Sequence, residues 1–172
     1  GGASTDQLIS MGVKYTIVGH SDNRIIQNES NKIVNSKIKS LISSSITPIV
    51  CFGELSKASL NDTLSTLTVE INSMLSEIPA EYVDKIIFAY EPVWAINNPD
   101  IYVDCNYVGK IASYIKNYFE ITYGVRPSLL YGGSINLSNI DELNKIDSLD
   151  GFLIGGASAK VDVFNQILDK IS

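Results

Sequence analysis

Five short apolar runs are the feature that most constrains how this chain can fold. They span residues 15–20, 47–53, 86–91, 128–133 and 151–156, and each ends in Gly, His or Glu. Because these runs are almost continuously apolar and do not alternate with polar residues, they are typical of strands buried on both faces of a parallel sheet. Consecutive parallel strands need crossover connections, so the pattern indicates an α/β fold.

Amphipathic stretches with helical spacing lie between these runs. Their apolar positions fall on one helix face in three sets: 64, 67, 71, 74, 75 and 78; 108, 111, 115, 118 and 119; and 163, 164, 167, 168 and 171. Gly124 follows the second set, where a C-terminal glycine cap would stand. The alternation of strand and helix predicts βα units with right-handed crossovers. Since no linker or low-complexity tract divides the chain, we expect a single domain over residues 1–172.

Composition excludes several classes of protein. The chain has 172 residues and is 45% apolar, which suits one globular core, and its net charge of −6 argues against nucleic acid and anionic membranes as partners. No apolar run reaches the roughly 18 residues of a membrane helix, and no signal peptide is visible, so we expect a cytoplasmic protein. Cys51 and Cys105 have no metal-ligand spacing, and Cys51 is predicted to be a buried thiol. We therefore expect no metal.

Glu91 is the first candidate catalytic residue. It follows the apolar run 86–90 and precedes Pro92, so it emerges where a predicted strand ends. Carboxyl ends of parallel strands are where α/β folds place their chemistry. Taken alone, the same pattern also fits a solvated strand end.

His20, the only histidine, also ends an apolar run, and Ser21 and Asp22 after it could begin a helix. A lone histidine is more often structural than catalytic. A helix N-terminus disfavours the imidazolium, so we expect a neutral ring that can donate a hydrogen bond.

Two glycine pairs, 132–133 and 155–156, follow the last two predicted strands, and Ser134 follows the first pair. Glycines let backbone amides approach an anion closely. One pair alone usually marks a turn, but two pairs on consecutive strands match the phosphate site at the end of a barrel. Phosphate amides, a carboxylate and a neutral imidazole together predict proton abstraction beside the carbonyl of a phosphorylated sugar. No dinucleotide fingerprint competes with this reading, so we expect no cofactor.

The motifs then become specific, because they occur in the order found in triosephosphate isomerase. They are Ile-Val-Gly-His-Ser (17–21), Cys-Phe-Gly-Glu (51–54), Ala-Tyr-Glu-Pro-Val-Trp-Ala-Ile (89–96), Tyr-Gly-Gly-Ser (131–134) and Gly-Phe-Leu-Ile-Gly-Gly-Ala-Ser (151–158). The resemblance implies a (β/α)8 barrel, here incomplete, with about five parallel strands and their helices. It also implies interconversion of dihydroxyacetone phosphate and glyceraldehyde 3-phosphate without a cofactor.

The resemblance implies a role for each candidate site residue. Glu91 would be the general base and His20 the electrophile. The phosphate would be held by backbone amides, and these belong to Asn97, Ser134, Gly155 and Gly156. A lid would close over the substrate, with its first hinge and its supporting residues at Pro92, Val93, Trp94, Glu54 and Tyr131. Asp22 keeps a carboxylate where the family has a glutamate.

The sequence also departs from the family pattern. No residue matches the asparagine and catalytic lysine that end the family's first strand, so this chain alone should be a poor isomerase. Asn97-Asn98-Pro99 replaces the usual Gly-Thr-Gly of the lid tip, and Pro99 has no N–H to donate. Asn23 replaces an arginine.

The first and last predicted strands should form open apolar edges, and these need a cover. A complementing N-terminal segment, a second copy or another protein would serve, and the family implies a homodimer. The alternative to an active isomerase is therefore an impaired or inactive relative acting as a structural or interaction subunit. Another phosphate-binding barrel enzyme fits the motif at 91–94 poorly.

Overall fold

A computed structural model describes residues 3–96 and 103–171, and its centre is one parallel sheet. Its strands are β1 (Tyr15–Val18), β2 (Thr47–Phe52), β3 (Ile87–Tyr90), β4 (Leu129–Tyr131) and β5 (Gly151–Phe152). They lie in chain order, and every neighbouring pair is parallel. The α/β prediction of five parallel strands, as in part of a TIM barrel, is confirmed. The single-domain assignment stays a prediction.

Eight described α-helices flank the sheet or cap its ends. They are α1 (Thr5–Ser10), α2 (Ser21–Gln27), α3 (Asn31–Ser43), α4 (Leu60–Met74), α5 (Ala80–Val83), α6 (Cys105–Tyr123), α7 (Ile140–Leu143) and α8 (Val161–Ile171). Gly124 caps α6 with φ 70°, a backbone conformation that favours glycine, so the predicted cap is confirmed. Within the described residues, no helix is both long and apolar enough to span a bilayer.

The predicted bounds need two corrections. The strands end before the runs that predicted them, so both glycine pairs belong to loops that follow β4 and β5 rather than to strand ends proper. The α4 face was extended too far, because Leu75 is the C-cap and the chain turns at Glu77, whose φ is 61°. Leu75 and Ile78 remain buried in the core nonetheless, so their apolar character reflects burial after the helix has ended.

An aromatic cluster at the centre of the sheet joins it to α6. Phe88 packs on Phe119 of α6 with ring centroids 4.5 Å apart, and its other edge meets Phe52 at 6.3 Å. The ring of Tyr90 also packs against the ring of Phe52. Cys51 of β2 is buried as a free thiol, as predicted. Because these side chains come from β2, β3 and α6, their packing fixes α6 against the middle strands.

β1 and β5 are the edges of the described sheet, as the sequence predicted. On β1, Tyr15 is 59% exposed and Ile17 is 45% exposed, so two apolar side chains that a buried strand would hide lie open. A groove of about 710 Å³ runs beside β1 between α1 and α3. An edge of this kind offers backbone groups and apolar surface to another strand.

We expect Phe88→Ala to lower the free energy of unfolding by about 3–5 kcal/mol, because it removes a fully buried ring that contacts two elements. Urea denaturation measures the change. Val69→Ala is the control, because this side chain is 68% exposed and its loss should change stability by less than about 0.5 kcal/mol. Equal losses in the two variants would contradict this account of the core.

Candidate active site

The pairing of the strands places the candidate residues at one edge of the sheet. Val18 pairs with Val50, Phe52 with Tyr90, and Tyr90 with Tyr131. The chain therefore leaves neighbouring strands at the same end, and the residues that follow within two positions include His20, Gly53, Glu91 and Gly132. The positions are far apart along the chain, so only the sheet brings them together.

Glu91 is the first residue after β3 and only 2% exposed. Its Oε2 accepts a hydrogen bond from the Ser21 amide at 3.1 Å, and its Oε1 lies 3.2 Å from His20 Nε2. Burial raises the pKa of the Glu91 carboxyl, while His20 and the Ser21 amide oppose the rise. The reading of Glu91 as a solvated strand end is therefore wrong.

His20 is the N-cap residue of α2, so the predicted helix start after the only histidine is confirmed. Its Nδ1 accepts a hydrogen bond from the Asp22 amide at 3.3 Å. With Nδ1 accepting, the neutral ring that the sequence predicts would carry its proton on Nε2, the atom that faces Glu91. The Asp22 carboxylate lies 3.7 Å from Nδ1.

One cavity of about 460 Å³ brings the catalytic and phosphate candidates together. Six of the predicted residues line it: His20, Asp22, Glu91, Ser134, Gly155 and Gly156. A side chain added at either Gly155 or Gly156 would meet no atom within 4 Å, so these loops face open space. Among the described residues that line the cavity there is no lysine or arginine. The lining thus includes two carboxylates, one imidazole and the glycine backbone of two loops.

The predicted lid hinge follows Glu91 as a buried proline, Pro92, and a 3₁₀ turn (Val93–Ala95). The Trp94 indole N–H donates to Glu54 Oε1 at 2.7 Å, and Tyr90 donates its hydroxyl to the same oxygen at 3.0 Å. The backbone carbonyl of Glu54 also accepts a hydrogen bond from the Val93 amide at 3.1 Å. Burial raises the pKa of Glu54. The structure thus contains the Glu54–Trp94 contact, and its part in lid closure stays a prediction.

Tyr131 is buried, with its ring centroid 6.2 Å from that of Tyr90 and its edge against Gly133. A side chain at Gly133 would overlap this ring, since an added Cβ would lie 2.4 Å from Tyr131 Cζ. The latching role of Tyr131 stays a prediction. Asn97, the proposed phosphate amide of the lid tip, lies outside the described residues.

Gly53, which the sequence did not place in the site, and Gly132, which it placed only in the phosphate loop, both lie directly against Glu91. A Cβ at Gly53 would lie 1.8 Å from the Glu91 carbonyl oxygen, and one at Gly132 would lie 3.0 Å from Glu91 Cγ. The loops on both sides therefore pack directly against the carboxylate residue. A glycine after an apolar run hints at such close approach, but it cannot say which residue is approached.

Sequence reasoning also missed Arg24 and Glu70, a largely buried ion pair near the ends of β1 and β2. Their Nη2 and Oε1 atoms lie 3.2 Å apart, and each side chain is less than one-sixth exposed. Burial raises the pKa of Glu70 to about 7, although the guanidinium lowers it. Arg24 lies in α2 and Glu70 in α4, so no local sequence pattern predicts their contact.

We expect Gly53→Ala to destabilise the fold and to displace Glu91, because the new methyl group would overlap the Glu91 carbonyl oxygen. The expected loss is about 3 kcal/mol or more of unfolding free energy, measured by urea denaturation. Gly155→Ala is the matched control, since open space surrounds that glycine. A stable Gly53→Ala protein with unchanged Glu91 signals would contradict the close approach.

The raised pKa of Glu70 should make stability depend on pH. The folded carboxyl holds its proton more tightly than the unfolded one, whose ordinary value is 4.5, so its stabilisation is present below pH 4.5 and is lost as pH rises through about 7. Between pH 4.5 and 7.5, the free energy of unfolding should therefore fall by up to about 3 kcal/mol more in the parent than in Glu70→Gln. Urea denaturation at each pH measures this difference. Identical pH slopes would show that Glu70 does not titrate in this range.

Comparison with known proteins gives consistent matches. The family model described as triosephosphate isomerase matches residues 1–171. The chain is 36% identical to the triosephosphate isomerase of Alkaliphilus oremlandii, with 98% of this chain and 70% of that protein covered. The enzymes of Ureaplasma parvum (38% identity, 95% and 67% covered) and Dictyostelium discoideum (35%, 98% and 66%) are similar. The chain therefore spans about two thirds of these relatives.

Proposed function

Because the chain belongs to the triosephosphate isomerase family, we propose that it interconverts dihydroxyacetone phosphate and D-glyceraldehyde 3-phosphate. The reaction moves a proton between adjacent carbons through an enediolate, as part of glycolysis and gluconeogenesis. The observation that carries this proposal is the pairing of Glu91 with the Nε2 atom of His20, at 3.2 Å, in the cavity lined by the two glycine loops.

In this mechanism Glu91 is the base and His20 the electrophile. A carboxylate whose pKa is raised by burial is a stronger base than an exposed one, which suits removal of a weakly acidic carbon-bound proton. A substrate carbonyl beside His20 would accept a hydrogen bond from Nε2–H in place of Glu91. That donor would stabilise the negative charge that develops on the substrate oxygen. The ring could also carry a proton from one enediolate oxygen to the other.

The phosphate would lie at the other side of the cavity, against the loops after β4 and β5. Ser134, Gly155 and Gly156 line this side, and the space in front of both glycines is open. The Asn139 side chain donates to the Ser134 carbonyl at 2.8 Å, which orients the first loop. Backbone amides of such loops suit a dianion. Asn97 would add an amide from the lid tip.

Closure of the lid would exclude water from the enediolate. Pro92, Val93 and Trp94 would form the first hinge, Glu54 would hold the tryptophan, and Tyr131 would latch the closed lid. The hydrogen bonds of Glu54 to Trp94 and Tyr90 support this, because they tie the hinge to β3. The mechanism needs no metal or cofactor.

The described cavity lacks a cation, and the family supplies one as a lysine from its first strand. We propose that a complementing N-terminal segment brings this lysine and pairs with the open edges of β1 and β5. A homodimer and a cytoplasmic location are further proposals that rest on the family resemblance.

A second candidate function is that of an impaired isomerase acting as an interaction subunit. The exposed Tyr15 and Ile17 side chains on β1 favour it, because an open apolar edge suits a permanent partner. Under this alternative, the cavity would bind phosphate weakly or not at all.

Glu91→Gln tests the isomerase proposal directly. We expect slow isomerisation of glyceraldehyde 3-phosphate by the purified parent chain, whose described cavity lacks a lysine. Turnover should be at least about a hundredfold lower in the variant, because an amide cannot accept the proton. Glu81→Gln is the matched control, since Glu81 is an exposed glutamate on α5.

Equal turnover in the parent and Glu91→Gln would indicate contaminating host isomerase and contradict the assignment of the base. Negligible turnover in all three proteins, together with no binding of glycerol 3-phosphate, would favour the interaction subunit.

A further inference from the structure

Arg24 connects the ends of two strands that carry the candidate catalytic pair. It projects from α2, and its Nε donates to the Gly19 carbonyl at 2.7 Å, just after β1. Its Nη2 donates to the carbonyl of Cys51 in β2 at 3.3 Å. A single planar guanidinium therefore joins the two strand ends.

Glu70 of α4 completes the arrangement. Its Oε1 lies 3.2 Å from Arg24 Nη2, and its Oε2 accepts the Gly53 amide at 3.0 Å. Arg24 Nη1 also donates to Asn31 Oδ1 at 2.7 Å. Nearly every polar atom of the pair thus has a partner, as a buried ion pair requires.

Two of the three backbone groups held by this pair adjoin a catalytic candidate. Gly19 directly precedes His20. A Cβ added at Gly19 would lie 3.0 Å from both Arg24 Nη2 and the Cys51 carbonyl oxygen. Gly53 lies so close to the Glu91 carbonyl that a side chain there would overlap it. A movement of either glycine would therefore move His20 or Glu91.

We propose that Arg24 and Glu70 are positioning residues that set the separation of His20 and Glu91. The inference rests on the proposed function, because it treats these two residues as the catalytic pair. Neither Arg24 nor Glu70 lines the cavity, so both act through the backbone on either side of it. Arg24 holds the peptide before His20, and Glu70 holds the Gly53 peptide that supports Glu91.

The physical basis is the fork shape of the guanidinium. A lysine at position 24 has one point charge and cannot donate to the Gly19 and Cys51 carbonyls and to Glu70 with the same fixed geometry. A glutamine at position 70 can still accept the Gly53 amide but loses the charge that balances Arg24. Arg24→Lys thus removes the bridge between strands, and Glu70→Gln weakens it.

The Ser21 amide reports on the geometry without any enzyme assay, because it donates to Glu91 Oε2. We expect its hydrogen exchange to be at least tenfold faster in Arg24→Lys, and several-fold faster in Glu70→Gln, than in the parent chain. Exchange of the Phe88 amide in the central strand β3 measures general loss of stability. The fold-change at Ser21 is therefore divided by the fold-change at Phe88. His20 is the only histidine, so its ring ¹⁵N resonances should shift in both variants without ambiguity.

Asp150→Asn is the matched control. Asp150 pairs with the buried Lys116 and accepts the Leu129 amide at the opposite end of the sheet. This variant should accelerate exchange of the Leu129 amide and leave Ser21 exchange within twofold of the parent after the same correction. The His20 resonances should not change.

Equal acceleration of Ser21 and Phe88 in Arg24→Lys, with unchanged His20 resonances, would overturn the proposal and leave the pair a purely stabilising one. If Arg24→Lys does not fold, Glu70→Gln decides by the same criteria. With an active parent, kcat should fall at least tenfold in Arg24→Lys while KM stays within threefold. An inactive parent that binds no glycerol 3-phosphate would contradict the isomerase proposal only, since exchange and resonances are measured without substrate.

Discussion

Parallel hydrogen bonding between β1, β2 and β3 places three strand ends side by side, and the candidate site consists of the residues that follow them. His20, Gly53 and Glu91 lie next to one another only because Val18 pairs with Val50 and Phe52 pairs with Tyr90. A shift of one residue between β2 and β3 would point Glu91 away from His20. The aromatic packing of Phe88 on Phe119 holds α6 against these central strands.

Three carboxylates lie at this edge of the sheet, two of them buried and the third largely so. Their burial is costly unless each one has specific partners. Glu91 receives the Ser21 amide and faces His20, Glu54 receives the Trp94 indole, and Glu70 receives the Gly53 amide and Arg24. Burial raises the pKa of all three. Each of them therefore couples its protonation to the position of a loop or a strand end, which suits a site whose chemistry is proton transfer.

Much of the fold could be predicted because apolar periodicity survives folding unchanged. All five runs became parallel neighbours, the Gly124 cap was found, and β1 and β5 were expected as edges. The overlong α4 face has a physical cause, since apolar character marks burial rather than conformation. Ile78 is buried but lies beyond the end of α4.

The sequence by itself determined the order of the strands, the helix start after His20 and the place of Glu91 at a strand end, because these depend on local pattern and on chain order. Only the tertiary structure decided which groups meet. The closeness of Gly53 to the Glu91 carbonyl and the bridge from Arg24 to Glu70 join residues from separate elements. Such contacts depend on distances across the sheet, and a linear pattern of residue types carries no record of those distances.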